Sequence, residues 1–199
     1  MMEMSLDKLF WDSLWKNNLT AWDLKKVSPP IKDYFDKIEN KDIAILIPGC
    51  GNAYEAKYLL ELGFTNVTII DIAPTVVGTL LNELDAYIGK QLSVVCGDFF
   101  KHSGQYDLIV EQTFFCALDK QLRKMYVQKM KSLLKTDGQL VGLLFDIDFG
   151  KPHPPFGGNK EEYVALFNQE FAINYMETAT NSVKPRLGNE LWIELNPLK

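Results

Sequence analysis

Short apolar runs recur along the chain, and stretches of helical spacing separate them. IAILIP (43–48), NVTIID (66–71), QLSVVC (91–96), YDLIVEQ (106–112) and QLVGLLFDI (139–147) are short and mostly rich in β-branched residues, which predicts strands. Between them, residues 53–62, 74–87 and 119–135 carry apolar positions at helical spacing. Gly63 is placed to stop the first of these helices, and Gly138 marks the turn into the fifth strand. Strands that alternate with helices imply a parallel sheet with helices packed on its faces.

The two ends of the chain follow other patterns. An amphipathic helix is predicted over about 5–17, and a second follows Pro29 and Pro30, near 31–38. After the fifth strand, FGKPHPPFGGN (149–159) is a loop loaded with proline and glycine, and Asn159 with Glu162 resembles a capping box that opens one more helix. FAINYMETAT (171–180) and ELWIELNPL (190–198) read as a late antiparallel hairpin. The fold class is therefore α/β: one doubly wound, mostly parallel sheet closed by a C-terminal antiparallel hairpin strand, with helices on both faces. The whole chain, 1–199, reads as a single domain in which 1–40 is a helical extension and 41–199 the core.

Composition narrows the function classes. At 47% hydrophobic and 24% charged the chain is ordinary for a globular protein, and its net charge of −5, without a basic stripe, argues against a nucleic-acid surface. The amphipathic, acid-bearing start lacks the features of a secretory signal, and no run is long enough for a membrane span. Three scattered cysteines and two histidines supply neither a disulfide framework nor a metal motif. A cytoplasmic protein without metal, nucleic-acid or membrane partners is expected; its oligomeric state is not legible.

Chemistry enters at ILIPGCGNAYEAKYL (45–59), where a strand passes through a glycine turn into a helix. Gly49 and Gly51 let the backbone turn tightly and approach a ligand where a Cβ would obstruct. Asp71 ends the next strand, about 20 residues on, where a carboxylate accepts from ribose hydroxyls, although a plain helix cap would also explain it. In GDFF (97–100), Asp98 is placed to accept from an adenine amine and Phe99 to pack beside the ring; a polar turn before core aromatics is the plainer alternative. Glu111, Gln112 and Thr113 close the fourth strand, at the crevice of a doubly wound sheet. A nicotinamide dinucleotide would want a third glycine where Tyr54 stands, and Glu55 brings negative charge to the place of a diphosphate.

Taken in order, PGCG, Asp71, GDFF and YDLIVEQ resemble a class I S-adenosylmethionine-dependent methyltransferase. More narrowly, the chain is similar to the thiopurine methyltransferase superfamily, in its thiol and halide methyltransferase branch. Shared features are the proline before the glycine turn, GNAYEAKYL with its Glu55, the tryptophans Trp11, Trp15 and Trp22, the FFCAL run (114–118) and PHPPFGG after the fifth strand. The resemblance implies a Rossmann-like core with S-adenosyl-L-methionine held under an N-terminal helical lid. It implies cofactor contacts from Trp11, Trp15, Trp22, Gly49, Asp71, Asp98, Phe99 and Gln112; Gln112 departs from the tyrosine of plant relatives. Independently, Trp11 and Trp15 share one helix face at i, i+4, which core packing would also explain.

The implied activity is methyl transfer to a small soft nucleophile: a thiol, bisulfide, a thiopurine or a halide. Such an acceptor needs little activation, and no catalytic residue is assigned. Phe114 and Phe115 are candidate walls of the acceptor pocket. Asp146, Asp148, His153 and Arg186 are candidate polar contacts, each with an ordinary loop role as the alternative. Cys116 reads as a buried, inert thiol. A cofactor-binding module without turnover, or less favourably a nicotinamide-dependent oxidoreductase, are the alternative functions.

Overall fold

The computed structural model describes residues 5–199. Seven strands form one sheet in the order β3-β2-β1-β4-β5-β7-β6: β1 (Ile45–Pro48), β2 (Val67–Asp71), β3 (Leu92–Cys96), β4 (Tyr106–Gln112), β5 (Leu134–Phe145), β6 (Phe171–Thr178) and β7 (Glu190–Pro197). The first five are parallel, and β7 runs antiparallel to both β5 and β6. The chain enters at the centre, winds outward to β3, then crosses back to place β4 on the other side of β1. That reversal opens a crevice beyond the carboxyl ends of β1 and β4.

Among the described residues there are six α-helices, the last five packed on the sheet: α1 (Lys8–Lys16), α2 (Pro29–Phe35), α3 (Tyr54–Glu61), α4 (Pro74–Glu83), α5 (Arg123–Leu133) and α6 (Lys160–Phe167). Side-chain alternation along each central strand decides which face they take. Ile45, Ile47, Val67, Ile69, Leu108 and Val110 point to the face packed by α2, α3 and α4. Leu46, Ile70 and Ile109 point to the opposite face, against Tyr126 and Met130 of α5 and Tyr163 and Phe167 of α6. The core strands are buried on both faces, which is why they read as continuous apolar runs.

Several boundaries differ from the sequence reading, each for a local reason. The first helix starts at Lys8 because Asp7 caps it, its Oδ1 accepting from Phe10 N at 3.0 Å. The helix expected near 31–38 begins at Pro29, since a proline at the first helical position gives up no hydrogen bond. The region expected as helix over 74–87 ends at Glu83 and continues as a 3-10 turn, Asp85–Tyr87. Gly138 lies inside β5, in the stretch where pairing with β4 shifts register between Tyr106 and Leu108. The late strands form as expected, but β7 inserts between β5 and β6. Among the described residues, no helix is long and apolar enough to cross a membrane.

Candidate functional site

One cavity of about 890 Å³ opens at the carboxyl ends of the parallel strands. All nine residues singled out in the sequence line it: Trp11, Trp15, Trp22, Gly49, Gly51, Asp71, Asp98, Phe99 and Gln112. The glycine turn is built for close approach. Gly49 and Gly51 have φ of +57° and +50°, and a Cβ on Gly49 would overlap the Phe114 ring. The ring of Phe114 follows β4, so this contact joins the two sides of the crevice. A Cβ on Gly51 would stand 3.3 Å from Trp15 Cζ2, so the indole lies directly on the turn. Ala53 also has a positive φ, at 53°, which turns the chain into α3 without a capping side chain.

Asp71 carries part of this turn. Its Oδ2 accepts from Gly51 N at 3.0 Å and its Oδ1 from Ala73 N at 2.9 Å, so one carboxylate ties β1 to the start of α4. Burial pushes its pKa above the ordinary value, against the pull of those backbone donors. Asp98 accepts from Phe100 N at 2.9 Å, and Phe99 is buried edge-on to Phe114 at 5.0 Å between ring centres. The capping roles and the cavity positions therefore coexist in the same residues. Gln112 presents a buried Oε1 that no donor among the described residues satisfies.

The N-terminal segment covers this cavity. Trp22 stands between the other two indoles, edge-on to Trp11 at 5.8 Å and to Trp15 at 5.9 Å. Trp11 and Trp15 also pack on Ala73, just before α4, and on Val76 and Val77 within it. Polar contacts hold the segment down. Asp12, nearly buried, accepts from Thr75 N at 2.8 Å and pairs with Lys16 at 2.7 Å, and its pKa falls to about 2 through those donors. Asp23 accepts from Asn52 Nδ2 at 2.9 Å and from Tyr54 OH at 3.3 Å. Tyr54, the residue at the third glycine position, thus holds the segment in place. Ser28 N donates to Glu55 Oε1 at 3.1 Å, and Arg186 Nη2 donates to the Trp22 carbonyl at 2.8 Å.

The remaining candidates divide. Arg186 lines the cavity but is a buried clamp, pairing with Glu190 at 3.3 Å as well as with Trp22. His153 lines the rim, exposed, with Nδ1 at 2.9 Å from the Pro154 carbonyl. Phe114 lines the cavity; Phe115 is instead in the core, against Tyr126 and Tyr163. Asp146 and Asp148, expected near the acceptor, line a separate cleft of about 240 Å³, because each turns back to cap local backbone, at Lys160 N and Gly150 N. Cys116 is buried with its thiol on the Thr113 carbonyl at 3.2 Å, and burial pushes its pKa up. A thiol so placed stays protonated and inert.

Glu111, read in the sequence as part of the strand end at the crevice, has a structural role that the pattern did not specify. Fully buried, it accepts from Phe114 N at 2.7 Å, Phe115 N at 2.9 Å and Tyr126 OH at 2.5 Å. It therefore shapes the turn that delivers Phe114 to Gly49.

Comparison with known proteins agrees with this geometry. The family model described as thiopurine S-methyltransferase matches residues 6–192. The chain belongs to that family. Thiopurine S-methyltransferases are S-adenosylmethionine-dependent small-molecule methyltransferases, and the similar proteins are of the same kind. A probable thiol methyltransferase 2 of Arabidopsis thaliana is 31% identical over 156 residues, covering 77% of this chain and 69% of that one. A thiopurine S-methyltransferase of Aliivibrio fischeri (strain MJ11) is 29% identical over 207 residues, covering 92% and 97%. A TehB-like SAM-dependent methyltransferase from Corynebacterium glutamicum shares the fold at TM-score 0.68 and 15% identity, covering 96% of this chain and 98% of its own. So does the 1,6-didemethyltoxoflavin-N1-methyltransferase of Burkholderia thailandensis, solved with S-adenosylhomocysteine, at TM-score 0.74 and 16% identity, covering 96% and 86%.

Proposed function

We propose that this family member transfers the methyl group of S-adenosylmethionine to a small soft nucleophile: a thiol, bisulfide, a thiopurine or a halide. One observation carries the reading. Nine residues from four strand ends and the N-terminal segment converge on a single cavity of about 890 Å³, a size suited to a cofactor with a small acceptor. The names of relatives that act on thiols, thiopurines and thiocyanate support the acceptor class.

The residues present fit the cofactor. When bound, S-adenosylmethionine supplies an electrophilic methyl on positively charged sulfur. Asp71 retains lone pairs for ribose hydroxyls beyond its two backbone bonds, and Asp98 and Phe99 stand at the neighbouring strand end for the base. The unsatisfied Gln112 Oε1 is ready to accept from a ligand donor. The indoles of the N-terminal segment, acting as a lid, exclude water and offer π faces to a cation, worth roughly 0.5–2 kcal/mol each. Leu14, Leu118, Phe114, Phe145 and Phe149 give the acceptor an apolar wall. A thiolate or halide held there needs alignment and a dry pocket more than a general base. We place the protein in the cytoplasm, in keeping with three free cysteines.

The test uses methyl-labelled S-adenosylmethionine with bisulfide, thiocyanate, iodide, an aryl thiol and a thiopurine, counting label in the volatile or extracted product. Transfer to at least one is expected, and the rank order names the acceptor. Cofactor binding by calorimetry with no transfer to any of the five would replace this reading with a cofactor-binding module.

A further inference from the structure

Of the carboxylates lining the cavity that the reading above leaves unused, Asp7 and Asp23 have both oxygens engaged by neighbouring donors, and Glu55 does not. Glu55 is 6% exposed, lies in the first turn of α3 and lines the cavity beside the glycine turn. Its Oε1 accepts from Ser28 N at 3.1 Å, and no donor from another of the described residues reaches Oε2. Burial raises its pKa, which measures how poorly its charge is compensated.

The surrounding charges sharpen this. Arg186 is a cation whose field reaches Glu55, but its guanidinium is committed to Glu190, itself 2% exposed, and to the Trp22 carbonyl. Asp23 adds negative charge on the same side. The Asp23 oxygens are both engaged: Oδ1 by Lys25 N at 2.8 Å, Oδ2 by Asn52 and Tyr54. The Cys50 thiol, its pKa pushed well up by burial and by Asp71 and Glu55, stays neutral and adds no charge here. Lys26 also lines the cavity, but no hydrogen bond or ion pair joins it to Glu55; Asp23, Glu55 and Asp71 together outnumber Arg186 and Lys26, and Glu55 has the free oxygen. Buried charge is stable when paired.

The sheet order says where that oxygen lies along a ligand. β3, β2 and β1 are neighbours, carrying Asp98 and Phe99, then Asp71, then Gly49 and Gly51 at successive carboxyl ends. A nucleoside with its base over β3 and its ribose over β2 extends its substituent across β1, toward the start of α3 and Glu55. We propose that Glu55 is the counter-ion for the positively charged methionine end of the cofactor and selects the cationic ligand over its neutral fragments. This rests on the cofactor assignment made above.

Calorimetry with S-adenosylmethionine and with 5′-methylthioadenosine separates the two claims. 5′-Methylthioadenosine has the base and ribose but neither the sulfonium nor the amino acid. Binding of neither by the unaltered protein would overturn the cofactor assignment and this proposal together. Given binding, Glu55→Gln preserves shape and the Ser28 contact while removing the charge. The expected result is a loss of about tenfold or more in affinity for S-adenosylmethionine, with 5′-methylthioadenosine unchanged within about twofold, a tenfold change being the scale of one well-placed charge interaction. Equal losses for both ligands, or no loss for either, would overturn the proposal and leave the cofactor assignment standing. If the variant does not fold, Glu55→Asp takes its place, keeping the charge but drawing it back by one methylene. A loss of S-adenosylmethionine affinity with 5′-methylthioadenosine unchanged is expected, and equal losses for both or no loss for either would overturn the proposal.

Discussion

At the scale of single residues, polar groups buried among apolar ones decide the shape of the cavity. Glu111 holds the Phe114–Phe115 turn through three hydrogen bonds, and burial lifts its pKa from 4.5 to about 7 despite those donors. The unfolded chain gives up this proton near pH 4.5 and the folded chain near 7, so the unfolded state binds fewer protons between them. Stability from this group is therefore greatest below about pH 4.5 and falls as pH rises toward 7, by something of order 3 kcal/mol, because each tenfold difference in proton affinity between the two states is worth about 1.4 kcal/mol. Glu55 and Asp71, with pKa values also raised by burial, act in the same sense. Glu111→Gln keeps the acceptor for the two backbone donors and should flatten part of the slope; denaturant unfolding of both proteins from about pH 4.5 to 8 measures the difference. Parallel profiles would show that Glu111 does not titrate in this window.

At the scale of elements, most of the sheet and its helices were legible because their signals are local. Short continuous apolar runs mark β1, β2 and β4, and the caps stand in the residues themselves. Asn159 is such a case: its Oδ1 accepts from Glu162 N at 2.8 Å and opens α6 where the sequence placed it. Asn159→Ala should cost about 1 kcal/mol of stability, read from the urea midpoint at unchanged slope, because one orphan N–H loses its partner. The small cleft beside it lies apart from the large cavity, so cofactor affinity should stay as it was. Element ends were less legible where neighbours compete for the backbone. β5 begins before Gly138 because β4 offers it a ladder, which no pattern within 134–138 encodes.

For the whole molecule, the decisive contacts join residues far apart in sequence. Arg186, between β6 and β7, reaches the carbonyl of Trp22, 164 positions away, and pairs with Glu190 in a nearly closed environment. Removing one member of such a pair leaves the other charge buried and alone. Arg186→Ala should destabilise the protein by about 3–5 kcal/mol, while Arg186→Met with Glu190→Leu should lose much less. Thermal unfolding of the two variants distinguishes this from a surface arginine, for which both would be near neutral. The strand ends and the glycine turn could be read from residue order, because strand periodicity, φ preference and spacing along a βαβ unit are short-range properties of the chain. Asp12 capping α4, Tyr54 and Asn52 holding Asp23, β7 entering between β5 and β6, and the turning of Asp146 and Asp148 to another cleft were not legible. A polar side chain's role depends on which donors and charges the fold brings to it, and only packing supplies those neighbours.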